Sequence, residues 1–132
     1  PYRMMNKISY ALNRQGKPMN GSTILFLGVA YKADIDDARE SPALLVMEEC
    51  VKKRANVLYH DPYIPEVVDE HGKKWISVAL TEESLESADC VVFTTAHSCF
   101  DVEHIIEKAK LVVDLKNMVK NVSIEDGKVF KL

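Results

Sequence analysis

Four consecutive apolar residues, Ile24-Leu25-Phe26-Leu27, run straight into the segment Gly28–Pro42, GVAYKADIDDARESP. A short unbroken apolar run of this kind predicts a strand buried on both faces, as in a parallel sheet. The segment closes on Ser41-Pro42, a helix start, with serine as the N-cap and proline at the first helical position. Between strand and helix stand Lys32, Arg39 and the acids Asp34, Asp36, Asp37 and Glu40. A strand end, a charged loop and a helix N-terminus form the usual place for a phosphate or nucleotide in an open α/β sheet.

The rest of the chain supplies partners for that strand. Residues 2–15 carry Met5, Ile8, Ala11 and Leu12 at helical spacing, and Gly16-Lys17-Pro18 ends the helix. After the first strand (24–29), a helix over about 42–54 would turn Met47, Cys50 and Val51 inward, with Arg54 snorkelling at the edge. Val57–His60 reads as the second strand, stopped by Asp61-Pro62; residues 61–73 are irregular and polar, and Trp75–Val78 forms a short strand. Thr81-Glu82-Glu83 starts a helix that runs to Ser87, with acids in its first turn. Cys90–Thr94 and Leu111–Asp114 are further strands, Asp101–Lys108 a surface helix between them, and the tail Val122–Leu132 adds an edge strand. This order predicts an α/β fold: a small Rossmann-like open parallel sheet with helices on both faces, preceded by one N-terminal helix.

Composition narrows the function classes. At 132 residues, with 47% apolar and 28% charged residues, the chain suits one ordinary globular core. A net charge of −3 argues against nucleic acid but leaves room for a small anionic ligand, which needs only local positive charge. Cys50, Cys90 and Cys99 are an odd count without CxxC spacing, and Cys50 and Cys90 fall inside a helix and a strand. Buried, reduced thiols fit a cytoplasmic protein. No apolar run is long enough for a membrane span, and no signal peptide is visible. The opening Pro1-Tyr2-Arg3-Met4 leads directly into a helical pattern, which suggests a piece of a longer protein.

The residues that could carry chemistry are few. The first βα turn holds one glycine, Gly28, so the GxGxxG dinucleotide fingerprint is absent and charge must hold any phosphate. Arg39 could do so with a bidentate fork and Lys32 as a mobile point charge. The competing reading, of equal weight on composition, is that both merely neutralise the neighbouring acids. Asp36-Asp37 with Thr94 or Thr95 and Lys116 also suggests a phospho-receiver domain, but the acid pair comes too late after the strand and no strand-end aspartate precedes it. His97, Cys99 and His104 do not complete a zinc set; His97 is placed in a polar loop and His104 on a helix surface, with no metal site. Nothing supports Cys99 as a nucleophile. The residues alone give a ligand-binding loop and no catalytic centre.

Four ordered blocks carry a resemblance: Ile24–Pro42; His60-Asp61-Pro62-Tyr63; Ala88–Val92 through Thr95-Ala96-His97-Ser98 to Phe100; and Val112-Val113-Asp114-Leu115-Lys116-Asn117. Together they resemble the C-terminal domain of nucleotide-sugar 6-dehydrogenases, the UDP-glucose/GDP-mannose dehydrogenase family. The resemblance implies a longer enzyme with an N-terminal NAD domain, a central helical region and a C-terminal domain that binds the UDP half of the substrate. Such an enzyme oxidises the sugar C6 alcohol to a carboxylate with two NAD and a cysteine thioester. No stretch here matches the family's catalytic-cysteine motif, so none of the three cysteines takes that role and this chain is expected to be inactive alone. Residues 1–19 would end the central region and 20–132 form the UDP-binding domain, with NAD held mainly by the missing N-terminal domain. Tyr31-Lys32 matches the pair that contacts the nucleotide sugar, and Arg39 the arginine that reaches toward NAD. Lys116 stands where the family commonly has arginine, keeping the charge but losing the fork. DDARESPAL and YHDPY favour a UDP-N-acetylhexosamine over UDP-glucose as substrate. The expected partners are the UDP-sugar, the remaining domains and further copies in a homo-oligomer. The alternative is a free-standing nucleotide-binding regulatory module. Cut from its central region, helix 2–15 is expected to expose an apolar face.

Overall fold

The computed structural model describes residues 2–39, 41–120 and 127–132. In chain order its elements are α1 (Tyr2–Arg14), β1 (Thr23–Leu27), α2 (Pro42–Lys52), β2 (Asn56–His60), β3 (Glu66–Val68), β4 (Lys74–Ile76), α3 (Glu82–Ser87), β5 (Cys90–Phe93), α4 (Val102–Lys108), β6 (Val112–Asp114) and β7 (Val129–Lys131). Five strands form one parallel sheet in the order β2-β1-β5-β6-β7. The open parallel sheet expected from the sequence is present.

Alternation along β1 explains why the sheet needs helices on both sides. Ile24 and Phe26 pack with Met5, Ile8 and Leu12 of α1 and Val46, Met47 and Cys50 of α2. Leu25 and Leu27 point the other way, into a cluster with Leu85 of α3 and Ile105 of α4. Each short helix is held at its start by a side-chain cap. Ser41 accepts from the Ala43 amide at 3.2 Å, Thr81 and Ser84 form a reciprocal capping box, and Asp101 accepts from the His104 amide.

Several local expectations differ from the structure. The apolar face of α1 is covered, with Ile8, Ala11 and Leu12 fully buried, because α1 lies over the sheet and beside α2. The inward face of α2 is Ala43, Val46, Met47 and Cys50; Val51 is exposed, and Arg54 lies past the helix end at φ 69°. The segment 61–73 contains β3, which pairs antiparallel with β4 in a hairpin outside the main sheet. Asp69 holds that hairpin, accepting from the amides of His71 and Lys73 and from the Trp75 indole. In the tail, Val129–Lys131 is the expected edge strand, while residues 121–126 lie outside the described ones.

Candidate functional site

Winding reverses between β1 and β5: β2 lies to one side of β1, and the later strands to the other. In an open α/β sheet the crevice for a ligand opens beyond the strand ends at this switch point. Here a cavity of about 280 Å³ opens there, lined by Tyr31, Lys32, Thr94, Thr95 and Lys116 among others.

Each wall has a local cause. Gly28 takes φ 101°, and a β-carbon there would stand 2.3 Å from the Thr95 Cβ, so the first loop can approach the segment after β5 only as glycine. The Thr94 hydroxyl donates to the Gly28 carbonyl at 2.6 Å, and the Thr95 hydroxyl to the Ala30 carbonyl at 3.2 Å. These bonds seal the crevice floor. The Tyr31 amide then donates to the Asp37 carbonyl at 2.6 Å, closing the loop on itself. Tyr31 is left half exposed, with the Lys32 ammonium 5.7 Å from its ring centre. On the far wall the buried Asp114 carboxylate accepts from the amides of Lys116, Met118 and Val119, at 3.1, 3.0 and 2.8 Å. That collar, with Asn117 in the left-handed region at φ 55°, curls the chain so that Lys116 emerges at the cavity.

Of the residues singled out from sequence, Tyr31, Lys32 and Lys116 therefore share one cavity, and Arg39 does not. The Arg39 guanidinium forks onto Asp37, with Nε and Nη2 donating to the carboxylate at 2.7–3.2 Å. This pairing holds the Asp37 carboxyl down to about 2. Arg39 borders a separate groove of about 610 Å³ that also carries Asp36, Glu48, Glu66, Asp69 and Glu70, a poor environment for an anion. The receiver-domain reading has no support in this geometry, since Asp37 is bound to Arg39 and both threonine hydroxyls are bound to carbonyls.

The sequence reading placed His97 in a polar loop, but its side chain is wholly buried. Its Nδ1 accepts from the Asp34 amide at 2.8 Å, and its Nε2 faces the Asp61 carboxylate at 3.0 Å. Asp61, also buried, accepts from the amides of Val29 and Tyr63 at 2.8 Å each. The two bonds of the imidazole fix one tautomer, with the proton on Nε2. Asp34, at φ 63°, also accepts from the Ser98 amide, which draws its carboxyl below the usual range. His104 lies on the surface of α4 as expected, 3.8 Å from Glu82. One cluster of metal-donor types escaped the sequence reading: Glu48 of α2 with Glu70 and His71 of the β3–β4 turn. The His71 Nε2 lies 3.6 and 3.7 Å from the two carboxylates, the spacing of ordinary ion pairs.

With this geometry in place, comparison with known proteins decides the family. Residues 25–121 match the family described as "UDP-glucose/GDP-mannose dehydrogenase family, UDP binding domain". The chain belongs to this family. Among dehydrogenases of the family, a UDP-N-acetyl-D-mannosamine dehydrogenase of Methanococcus aeolicus is 31% identical over 103 residues, 71% of this chain and 22% of that protein. A UDP-glucose 6-dehydrogenase of Rickettsia typhi is 31% identical over 129 residues, 92% of this chain and 29% of that protein. The crystal structure of an NDP-N-acetyl-D-galactosaminuronic acid dehydrogenase from Methanosarcina mazei Go1 superposes with a TM-score of 0.78 at 27% identity, over 100% of this chain and 28% of that one. The chain thus spans less than a third of the length of these relatives.

Thr95 stands directly over Gly28, so the loop after β1 is closed against the segment that follows β5. The thiols of the chain divide by burial: desolvation pushes Cys50 up to about 12 and raises Cys90 as well, whereas Cys99 is exposed. Among the described residues no helix is long and apolar enough to cross a membrane.

Proposed function

We propose that this chain holds the UDP part of a nucleotide sugar for an NAD-dependent nucleotide-sugar 6-dehydrogenase, which oxidises the sugar C6 alcohol to the carboxylate of a UDP-uronic acid. The observation that carries the reading is the meeting of Tyr31, Lys32 and Lys116 at the switch-point cavity of a UDP-binding family member. Lys32 and Lys116 supply positive charge from opposite walls to the diphosphate, and Tyr31 offers an aromatic face to the base or sugar. Fixing the diphosphate would place the sugar C6 against a cysteine and a nicotinamide that belong to domains outside this chain, and such positioning supplies a large share of rate acceleration. NAD is the oxidant of that reaction, and no step of it runs through this chain's own residues. Arg39 is the residue that would meet the cofactor across the assembled cleft, after leaving Asp37. Residues 1–19 then close the central region and 20–132 form the UDP-binding domain of a cytoplasmic homo-oligomer. A UDP-N-acetylhexosamine is the favoured substrate; the stretches DDARESPAL and YHDPY support it, and several relatives act on N-acetylated sugars by name.

Calorimetric titration with UDP and UDP-N-acetylglucosamine tests this reading. Lys32→Ala and Lys116→Ala should each weaken binding by about 1.5–3 kcal/mol, roughly ten- to a hundredfold, as expected for hydrogen bonds to a charged group. Binding that ignores both substitutions would refute it, and no binding by the unmodified chain would count against a free-standing nucleotide-binding module.

A further inference from the structure

We propose that His97 and Asp61, neither of which lines the cavity, are positioning residues that hold the Tyr31–Asp34 loop in the shape that receives the diphosphate; this rests on the UDP-binding reading above. The loop is tied to the sheet on either side of Tyr31-Lys32. On one side the Val29 amide donates to Asp61 Oδ2 at 2.8 Å; on the other the Asp34 amide donates to His97 Nδ1 at 2.8 Å. The 3.0 Å contact between Asp61 Oδ2 and His97 Nε2 joins the two ties. Asp61 therefore holds the near end of the segment that carries Lys32, and the buried imidazole holds the far end.

The far end needs holding. Asp34 sits at φ 63°, a conformation that costs a non-glycine residue free energy. It stays there because residues 97 and 98 grip it twice: His97 Nδ1 accepts a hydrogen bond from its amide, and the Ser98 amide donates to its carboxylate at 2.8 Å. Edge contacts from Tyr63 and Phe100, with ring centres at 4.9 and 5.5 Å, fix the plane of the imidazole. A loop held in its bound shape before the ligand arrives avoids the ordering cost of binding.

Two substitutions divide the imidazole into its halves. The Asn amide ends near the position of Nδ1 and the Gln amide near that of Nε2. His97→Asn therefore keeps an acceptor for the Asp34 amide and loses the Asp61 end; His97→Gln keeps a donor to Asp61 and releases Asp34. Both lose one buried bond, so a purely structural role lowers thermal midpoint and UDP affinity in parallel for the two. Positioning predicts that His97→Gln loses about tenfold in UDP affinity relative to His97→Asn, and that Asp34 amide exchange accelerates only in the Gln variant.

Asp34→Ala is an exposed change that leaves the core intact and reads the same device. Removing an acid near a diphosphate should tighten binding by charge alone; loss of the grip should weaken it. Equal affinities for the Asn and Gln variants, or tighter UDP binding by Asp34→Ala, overturn the positioning role. UDP binding indifferent to Lys32→Ala overturns the underlying reading instead, and the Asp34 exchange rates then still decide whether His97 holds the loop.

Discussion

Gly28→Ala is the sharpest test of how the crevice is built. Two costs add at this position. An L side chain at φ 101° is strained, at about 1–2 kcal/mol by analogy with other left-handed positions. The new β-carbon would also stand 2.3 Å from Thr95 Cβ, 2.5 Å from its Oγ1 and 2.9 Å from its amide nitrogen. To restore ordinary contact the two segments must part by about 1 Å, and overpacking on this scale costs about 1–3 kcal/mol. Thr95 has little freedom to move, since its amide is bonded to the Leu27 carbonyl at 3.2 Å and the neighbouring Thr94 hydroxyl to the Gly28 carbonyl. The sum is about 2–5 kcal/mol, a large part of the 5–15 kcal/mol that typically separates folded from unfolded domains. Gly21→Ala is the matched control, because Gly21 has φ 85° but nothing within 4 Å of an added β-carbon. Urea titrations of the two variants and the parent, analysed with a common slope, should place Gly28→Ala below Gly21→Ala by at least about 1 kcal/mol. Equal losses would refute the argument that contact with Thr95, rather than φ alone, demands glycine here.

Two further outcomes follow from the same structure. Asp69 is held below the usual carboxylate range by hydrogen bonds, the Trp75 indole first and then the amides of Lys73 and His71. Its folded value lies below its unfolded value, so its contribution is complete above about pH 4 and lost as pH falls through the depressed value. Fluorescence of Trp75, the single tryptophan, should be flat from neutral pH to about 4 and change below it; a transition centred near pH 6 in folded protein would contradict the assignment. Thiol labelling of the native chain should modify Cys99 alone, with Cys50 and Cys90 reacting only on denaturation, and rapid native labelling of either would contradict their burial.

The fold was legible where the chain carries its own punctuation. Ser41-Pro42 and Thr81 announce helix starts, and the caps they form are local enough to be read without knowing the rest. Legibility fails where an ending lacks its usual residue. Arg54, not glycine, takes the left-handed position after α2, so the helix pattern runs on in the sequence and carries Val51 and Arg54 inward with it. The β3–β4 hairpin was hidden for another reason. Its register sets Glu66 against Ile76 and Val68 against Lys74, leaving Val68 and Ile76 exposed, so no clean alternation marks it. What holds it is a buried carboxylate, Asp69, whose partners lie on backbone amides that a sequence does not display.

The candidate site divides along the same line. Lys32 is marked by its own charge just past a strand end, whereas Lys116 is marked only by resemblance to known families; the parallel sheet puts both strand ends on one edge, where the two lysines share a cavity. The Asp61–His97 pair follows strands too, but its meaning depends on β1 lying between β2 and β5, an order that chain sequence does not disclose. Only that neighbourhood brings a carboxylate after β2 and an imidazole after β5 together on the loop after β1. Arg39 shows the opposite limit. Its charge was plain, yet Asp37, two residues away, takes its fork at contact distance. An exposed ion pair of this kind is weak, because water and salt screen it. The role proposed for Arg39 toward the cofactor therefore requires an anion that competes with Asp37 for its guanidinium.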